Sequence, residues 1–355
     1  MGTMKHFFPG GNTSRGFVNY FGGIIPSWQE NKRIYVLKGG PGVGKNTFMH
    51  LFALKGSELG YDVEYFHCAS DAKSFDAVRI PSLGVTMLDG TAPHVIDPVT
   101  PGAVDGIVNL GIYLNEDMME KKRAEIMMLS DANQLCYKKT FAYLEAAGSI
   151  QRSADYLCLK SLHYGKLREE VSKIFVNRTA NMVGSEVKAR HLFASAITPQ
   201  GYIDYFNTIP TKEKIIKLNG PGAITCEFIR LVGRYAEIMG YHSQIFDSPL
   251  LPEKPEHIII DDLGICITTD QRSNGSSGEE VINLYNYVDE EKEKKNRDAL
   301  DSDENMIALL INIAIDSLKE SIAIHDEIEE IYKANMDFDR LNDFTNHFIE
   351  KIFAI

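Results

Sequence analysis

Cysteine is scarce and scattered in this chain. Five of 355 residues are cysteine, namely Cys68, Cys136, Cys158, Cys226 and Cys266, and none forms a C-x-x-C pair. An odd, dispersed set fits reduced thiols in a cytoplasm better than a disulfide framework or a zinc site. No apolar run approaches the about 18 residues of a spanning helix, so no membrane span is expected. The opening stretch MGTMKHFFPGGNTSRG has no apolar h-region, so no secretory signal is read there. These absences together lead us to expect a cytoplasmic protein. Basic residues are also in deficit, 37 Lys and Arg against 49 Asp and Glu, for a net charge of -12. A phosphate backbone attracts clustered cations, so nucleic acid is an unfavoured partner.

What remains is ordinary for a globular chain, 44% hydrophobic and 24% charged. The length exceeds what one hydrophobic core usually serves, which points to two domains.

The chain repeats itself. Residues 38–90 lie on 218–270 without a gap at an offset of 180, which superposes Gly40-Pro41-Gly42 on Gly220-Pro221-Gly222. The same register matches Phe48 with Phe228, Phe66 with Phe246, and Leu83-Gly84 with Leu263-Gly264. Upstream, HFFPGGNTSRGFVNYF (6–21) matches HLFASAITPQGYIDYF (191–206) at an offset of 185. Downstream, IVNLGIYLNE (107–116) matches VINLYNYVDE (281–290) at 174. Ordered identities of this kind define two repeats, which we divide as 1–184 and 185–355.

Each repeat reads as a first apolar strand, a Gly- or Thr-containing turn with a short helix, a strand into a glycine turn, and a helix. In the first repeat that helix spans about 45–59 and closes at Gly60. A strand over 62–69, a polar loop, and the strand GVTMLDG (84–90) follow. Such alternation predicts an α/β fold with mostly parallel sheets. Beyond 116, and again from about 305 to the end, apolar residues recur at helical spacing, so each repeat carries a long helical arm. Met118, Met119, Met127 and Met128 read most simply as core packing in that arm. The arms are also the surface offered to a protein partner or a second copy. The segments 273–278 and 289–304 read as a polar loop and a charged surface.

GGPGVGKNTF (39–48) departs by one residue from the phosphate-loop pattern G-x-x-x-x-G-K-[ST]. A strand, a glycine turn and a helix present backbone N–H groups and a helix N-terminus to phosphate oxygens. We expect nucleotide binding by Gly40, Pro41, Gly42, Val43, Gly44, Lys45, Asn46 and Thr47, with Lys45 reaching the phosphates. Asn46 stands where Ser or Thr would ligate Mg²⁺ and is itself a metal candidate through its amide oxygen; natural variation and an engineered exchange both fit it. Asp89, at the end of an apolar strand, is the candidate metal-site carboxylate. Thr91 and His94 follow it, while Asp71 and Asp76 read as ordinary loop residues. Arg15 and Arg79 are the other cations considered for phosphate. In the second loop, NGPGAITCEF, Ile224, Thr225 and Cys226 replace Gly44, Lys45 and Asn46. HIIIDD (257–262) looks like a metal-binding strand, yet its register places Asp261-Asp262 on Pro81-Ser82 and Asp89 on Thr269.

The stretches FFPGGNTSRGF, LKGGPGVGKNTFM, GYDVEYFHCASD, LDGTAPHVIDPVTPGAVDGIVNLG and RHLFASAITPQGY carry a resemblance. The chain resembles the tandem-repeat P-loop ATPase-like proteins of Gram-positive bacteria over nearly its whole length. The resemblance implies a P-loop NTPase-like fold in each half, with ATP and Mg²⁺ as ligands. Family members commonly keep both loops, and this sequence departs at Asn46 and more deeply at 223–227. The expected function is ATP binding at one competent site with slow hydrolysis coupled to conformational change. A small-molecule or nucleotide kinase and a non-catalytic nucleotide-sensing scaffold are the alternatives.

Overall fold

The computed structural model describes residues 2–25, 31–91, 95–180, 188–210, 214–272 and 280–354. The first repeat runs through β1 (Met4–Phe7), β2 (Gly10–Thr13), β3 (Gly16–Asn19), β4 (Arg33–Lys38), α1 (Lys45–Glu58) and β5 (Val63–His67). It continues with β6 (Phe75–Ile80), β7 (Val85–Asp89), β8 (Asp105–Asn109), α2 (Glu116–Lys121), α3 (Arg123–Leu159) and α4 (Tyr164–Ile174). The second repeat places β9 (Arg190–Leu192), β10 (Ser195–Thr198), β11 (Gly201–Asp204), β12 (Lys214–Asn219), α5 (Gly222–Ile238) and β13 (Ser243–Asp247) in the same sequence. It ends with β14 (Pro255–Ile260), β15 (Ile265–Thr268), β16 (Glu280–Asn283), α6 (Glu290–Lys333) and α7 (Phe338–Phe353).

Among the described residues, two six-stranded sheets share one topology. The first has order β1-β5-β6-β7-β4-β8 and the second β9-β13-β14-β15-β12-β16. Five strands of each sheet are parallel, while β6 and β14 run against both neighbours. The protein is therefore α/β, with two mostly parallel sheets in a two-repeat layout. β6 falls where the sequence suggested a polar loop, while β14 falls on the HIIIDD segment that looked like a metal-binding strand. Asp76 and Arg79 hide the strand signal, because each charge is buried in a specific environment rather than exposed to water. A second departure is at the start of each repeat, where β2–β3 and β10–β11 form short antiparallel hairpins before a 3-10 turn.

Side-chain alternation gives each sheet two apolar faces. One face of the first sheet (Phe7, Ile34, Val36, Phe66, Leu88) packs against one face of the second (Leu192, Ile215, Phe246, Ile259, Cys266). Phe8 and Phe193 close this junction by exchanging backbone hydrogen bonds of 2.9 and 3.0 Å. A buried ion cluster crosses it as well: Glu64 accepts from Arg79 at 3.2 Å and from Arg190 at 3.1 and 3.2 Å. Two guanidiniums around one carboxylate hold Glu64 below the usual carboxylate range although burial works against ionisation.

Each outer face is covered by its own repeat's helix, α1 or α5, and the exchanged arms complete the cover. α7 supplies Leu341, Ile349 and Ile352 to the core made by Phe48, Phe52, Val78 and Met87 of the first repeat. α4 supplies Leu167 and Val171 to the core around Ile224, Phe228, Ile258 and Ile267 of the second. α3 and α6 form the largest helix–helix contact, where the Ser321 hydroxyl donates to Asn133. The crossing is made twice with the same bonds: Asn115 N–H to Asn335 O (2.9 Å) and Asp289 N–H to Ser161 O (2.8 Å) are related by an offset of 174. Met127 and Met128 are not core residues. They are 55% and 65% exposed, because the apolar seam between α3 and α6 runs through Leu144, Ala147, Ala314 and Leu318 instead.

The exchange predicts an effect at a distance in sequence. Leu341→Ala removes a buried side chain and should cost about 2–5 kcal/mol. Amide exchange should then accelerate in α1 while α5 keeps its protection. Loss of protection confined to α7 would contradict this packing.

Candidate functional site

β4 ends at Lys38 and α1 begins at Lys45, so residues 39–44 form the turn between them. Gly42 (φ 69°) and Gly44 (φ 93°) occupy the left-handed region, and Gly44 caps α1. A side chain would strain the backbone at both. Val43 is buried against the core and anchors the turn, with Gly40 and Pro41 partly covered before it. The first N–H groups of α1 have no partners within the helix, and the turn brings them to one edge.

Lys45 lies over this turn. Its Nζ donates to the carbonyls of Gly39 (2.8 Å) and Gly40 (2.7 Å), and Asp89 Oδ2 is 3.6 Å away. Burial lowers the ammonium's pKa, while Asp89 and, to a lesser extent, Glu329 of α6 oppose that shift. Asp89 ends β7, next to β4 in the sheet, and its Oδ1 accepts from the Thr91 N–H at 2.8 Å and from the Thr91 hydroxyl. Thr91 is thus bound to Asp89 itself. His94 lies outside the described residues.

Asn46 is exposed at the start of α1, and its Oδ1 accepts from Phe75 N–H at 3.1 Å. That bond spends one lone pair of the amide oxygen and turns it toward the start of β6. Thr47 is exposed on the next position of the helix. The Asp89 carboxylate and the Asn46 amide are oxygen donors of the class a hard dication takes.

Several other sequence candidates lie elsewhere. Asp71 caps its own turn, accepting from Lys73 N–H (3.2 Å) and the Ser74 hydroxyl (2.6 Å). Arg79 is committed to Glu64 between the sheets, and Arg15 pairs with Glu253 at 3.2 Å on a hairpin tip. Neither arginine belongs to the loop.

Asp76 was the residue least visible in sequence. The pairing of β5 with β6 slips by one at this point, so Asp76 is the extra residue of a β-bulge that re-aims its side chain. Burial first, and the charge of Asp89 second, push its carboxyl up to about 7, with Cys68 hydrogen-bonded to it. Glu256 sits in the matching bulge of β13–β14 and is likewise raised to about 7, by burial first. The acid thus persists in both repeats, whereas the loop lysine and Asp89 occur only in the first. That division assigns Asp76 to the architecture of the sheet rather than to the loop's chemistry.

The second loop has a different conformation. α5 begins at Gly222, three positions earlier in the repeat register than α1, so Ala223, Ile224 and Thr225 are helical. Thr225 Oγ1 bonds back to Gly222 O at 2.9 Å, and Ile224 is buried in the core. The glycine turn is absorbed into the helix, beyond what loss of individual side chains required. Asp261 and Asp262 lie in a 3-10 turn after the antiparallel β14, at the opposite end of the sheet from this loop.

The fold and site therefore define an α/β chain of two tandem repeats with one glycine-turn lysine site and one helical counterpart. No protein-family model, no curated protein and no solved structure matches this chain. Among the described residues, no helix is long and apolar enough to cross a membrane.

The raised Asp76 carboxyl fixes the sign of a pH effect. Its folded-state value of about 7 exceeds the ordinary 3.8. The folded state therefore holds a proton that the unfolded chain has lost, and stability falls as pH rises through that interval. Asp76→Asn removes this penalty. Its melting temperature, measured without divalent cations, should gain on the wild type by several degrees between pH 5 and pH 8. An offset equal at both pH values would contradict the assignment.

Proposed function

We propose that this chain is an ATP-binding P-loop protein with one competent nucleotide site, hydrolysing ATP slowly and passing its nucleotide state to the α6–α7 arm. The observation carrying this reading is the contrast between the two loops of one chain. Residues 39–44 keep a left-handed glycine turn under Lys45, beside Asp89, while 222–225 have become helix. A turn that were only structural would have no reason to keep a lysine folded over its carbonyls in one copy alone.

In this reading the backbone N–H groups of 42–47 cradle the phosphates, and Lys45 moves from the Gly39 and Gly40 carbonyls onto the β- and γ-phosphate oxygens. Asp89 and Asn46 would hold Mg²⁺, which when bound offsets phosphate charge. Phosphoryl transfer depends mainly on positioning and electrostatics, so an amide in place of a hydroxyl at position 46 costs rate more than binding. A kinase reading has less support, because Asp71 caps a turn and Asp76 is buried, leaving neither placed to receive an acceptor. A non-catalytic nucleotide sensor is favoured over it by Asn46, whose oxygen is already engaged by Phe75.

Calorimetry with ATP and ADP, with and without Mg²⁺, tests the site. Lys45→Ala should weaken ATP binding at least about tenfold, equivalent to about 1.4 kcal/mol. Equal affinity of Lys45→Ala and wild type would overturn the proposal. Asn46→Ser should increase the magnesium dependence and raise phosphate release. Tight binding by both proteins with no turnover in either would select the sensor.

A further inference from the structure

The arm that covers the glycine loop belongs to the other repeat, and its last turn is in van der Waals contact with the loop. A Cβ on Gly42 would lie 2.9 Å from Glu329 O and 3.2 Å from Lys333 Cγ, and one on Gly40 would lie 2.4 Å from the Tyr332 ring. The polar side chains of that turn are paired with one another. Glu329 binds Lys333 at 2.9 Å and His325 at 3.4 Å, and Lys333 also reaches Glu330 at 3.2 Å. The bond from His325, with Lys333 beside it, holds the Glu329 carboxyl well below the usual range. The charge of Glu329 also acts on Lys45.

The internal repeat supplies a control. At the offset of 174 that relates the two arm crossings, Glu329 corresponds to Asp155, His325 to Gln151 and Lys333 to Leu159. The arm carboxylate is kept in both copies. In the second, Asp155 accepts from Gln151 at 3.0 Å and pairs with Lys254, a fixed internal ion pair. The arm cation is present only above the loop that retains Lys45. A lysine in the last turn of a helix has a general rationale in the helix dipole, and α1, α4 and α7 also carry one. That rationale explains neither the position of Lys333 on Gly42 nor its replacement by Leu159 above the helical counterpart.

We propose that Lys333 is a second phosphate-binding cation of the nucleotide site, held in reserve by Glu329 and contributed by the arm of the second repeat. The inference rests on nucleotide binding at the glycine loop. Glu329 neutralises Lys333. A polyphosphate bound beside Lys45 competes for the Lys333 ammonium and repels the Glu329 carboxylate. Both effects act on α6, which links phosphate occupancy to the helix pair joining the two sheets. The equivalent arm over the second loop is locked by Lys254 and does not respond.

Two substitutions with opposite expected signs test this by ATP calorimetry on the full chain. Lys333→Leu introduces the residue the chain itself uses at position 159, at a side chain already 42% exposed. It should weaken ATP binding about tenfold, with a smaller effect on AMP. Glu329→Gln should tighten ATP binding several-fold, and the gain should shrink in the Lys333→Leu background. If Lys333→Leu binds ATP like the wild type while Lys45→Ala does not, the inference is wrong and the loop assignment stands. An undiminished gain from Glu329→Gln without Lys333 would also overturn it, because Glu329 would then act through Lys45 alone. A wild-type protein that binds no ATP removes the site itself, and the arm's role with it.

Discussion

Reciprocal backbone pairing at the two arm crossings is the constraint from which the rest of this structure follows. Residues 113–115 bond to 335–337, and residues 161–163 bond to 287–289, with the same donors and acceptors in each copy. These bonds hold α3 and α6 antiparallel and deliver α4 and α7 to the opposite repeat. Without them α1 and α5 would each leave part of an apolar core open to water. Exchange completes both cores and makes each repeat depend on the other's chain, as Leu341 among Phe48 and Phe52 illustrates. Burial of such side chains is the dominant favourable term, so the repeats are joined in stability as well as in sequence.

Within that shared frame the repeats have diverged at one place. The first keeps a turn whose left-handed positions favour glycine at Gly42 and Gly44, with a lysine above it. The second has Ala223 and Ile224 at the matching stretch, and helix propagates through it because the backbone no longer needs left-handed residues. Buried Ile224 rewards the change by filling the core under α5. The acids Asp76 and Glu256 survive in both copies, which ties them to the bulge geometry common to the sheets. Asymmetry between copies thus separates residues that serve the fold from those that accompany the loop.

Much of this was legible in sequence. The offsets of 180, 185 and 174 are the register of matching structural elements. The glycine turn with Lys45 and Asp89 in proximity followed from motif and strand end. Other features were not legible, for identifiable reasons. β6 was hidden because Asp76 and Arg79 break its apolar alternation, and their burial depends on Cys68 and Glu64, which arrive from another strand. The methionines of α3 read as core by spacing, but periodicity marks a face without saying what covers it. Arg15 and Arg79 carried the right charge for phosphate and were claimed instead by Glu253 and Glu64.

The sequence by itself determined the repeat, the α/β alternation, the position of the glycine turn and the loss of its lysine in the second copy. These depend on local periodicity, on backbone geometry special to glycine, and on residue identity at a fixed register. Only the tertiary structure decided which sheet each arm covers, and therefore that Glu329, Tyr332 and Lys333 lie on a loop nearly 300 residues earlier in the chain. An amphipathic helix fits either of two similar apolar faces. The choice between them is made by long-range backbone pairing at the crossings, which leaves no local signature in the chain.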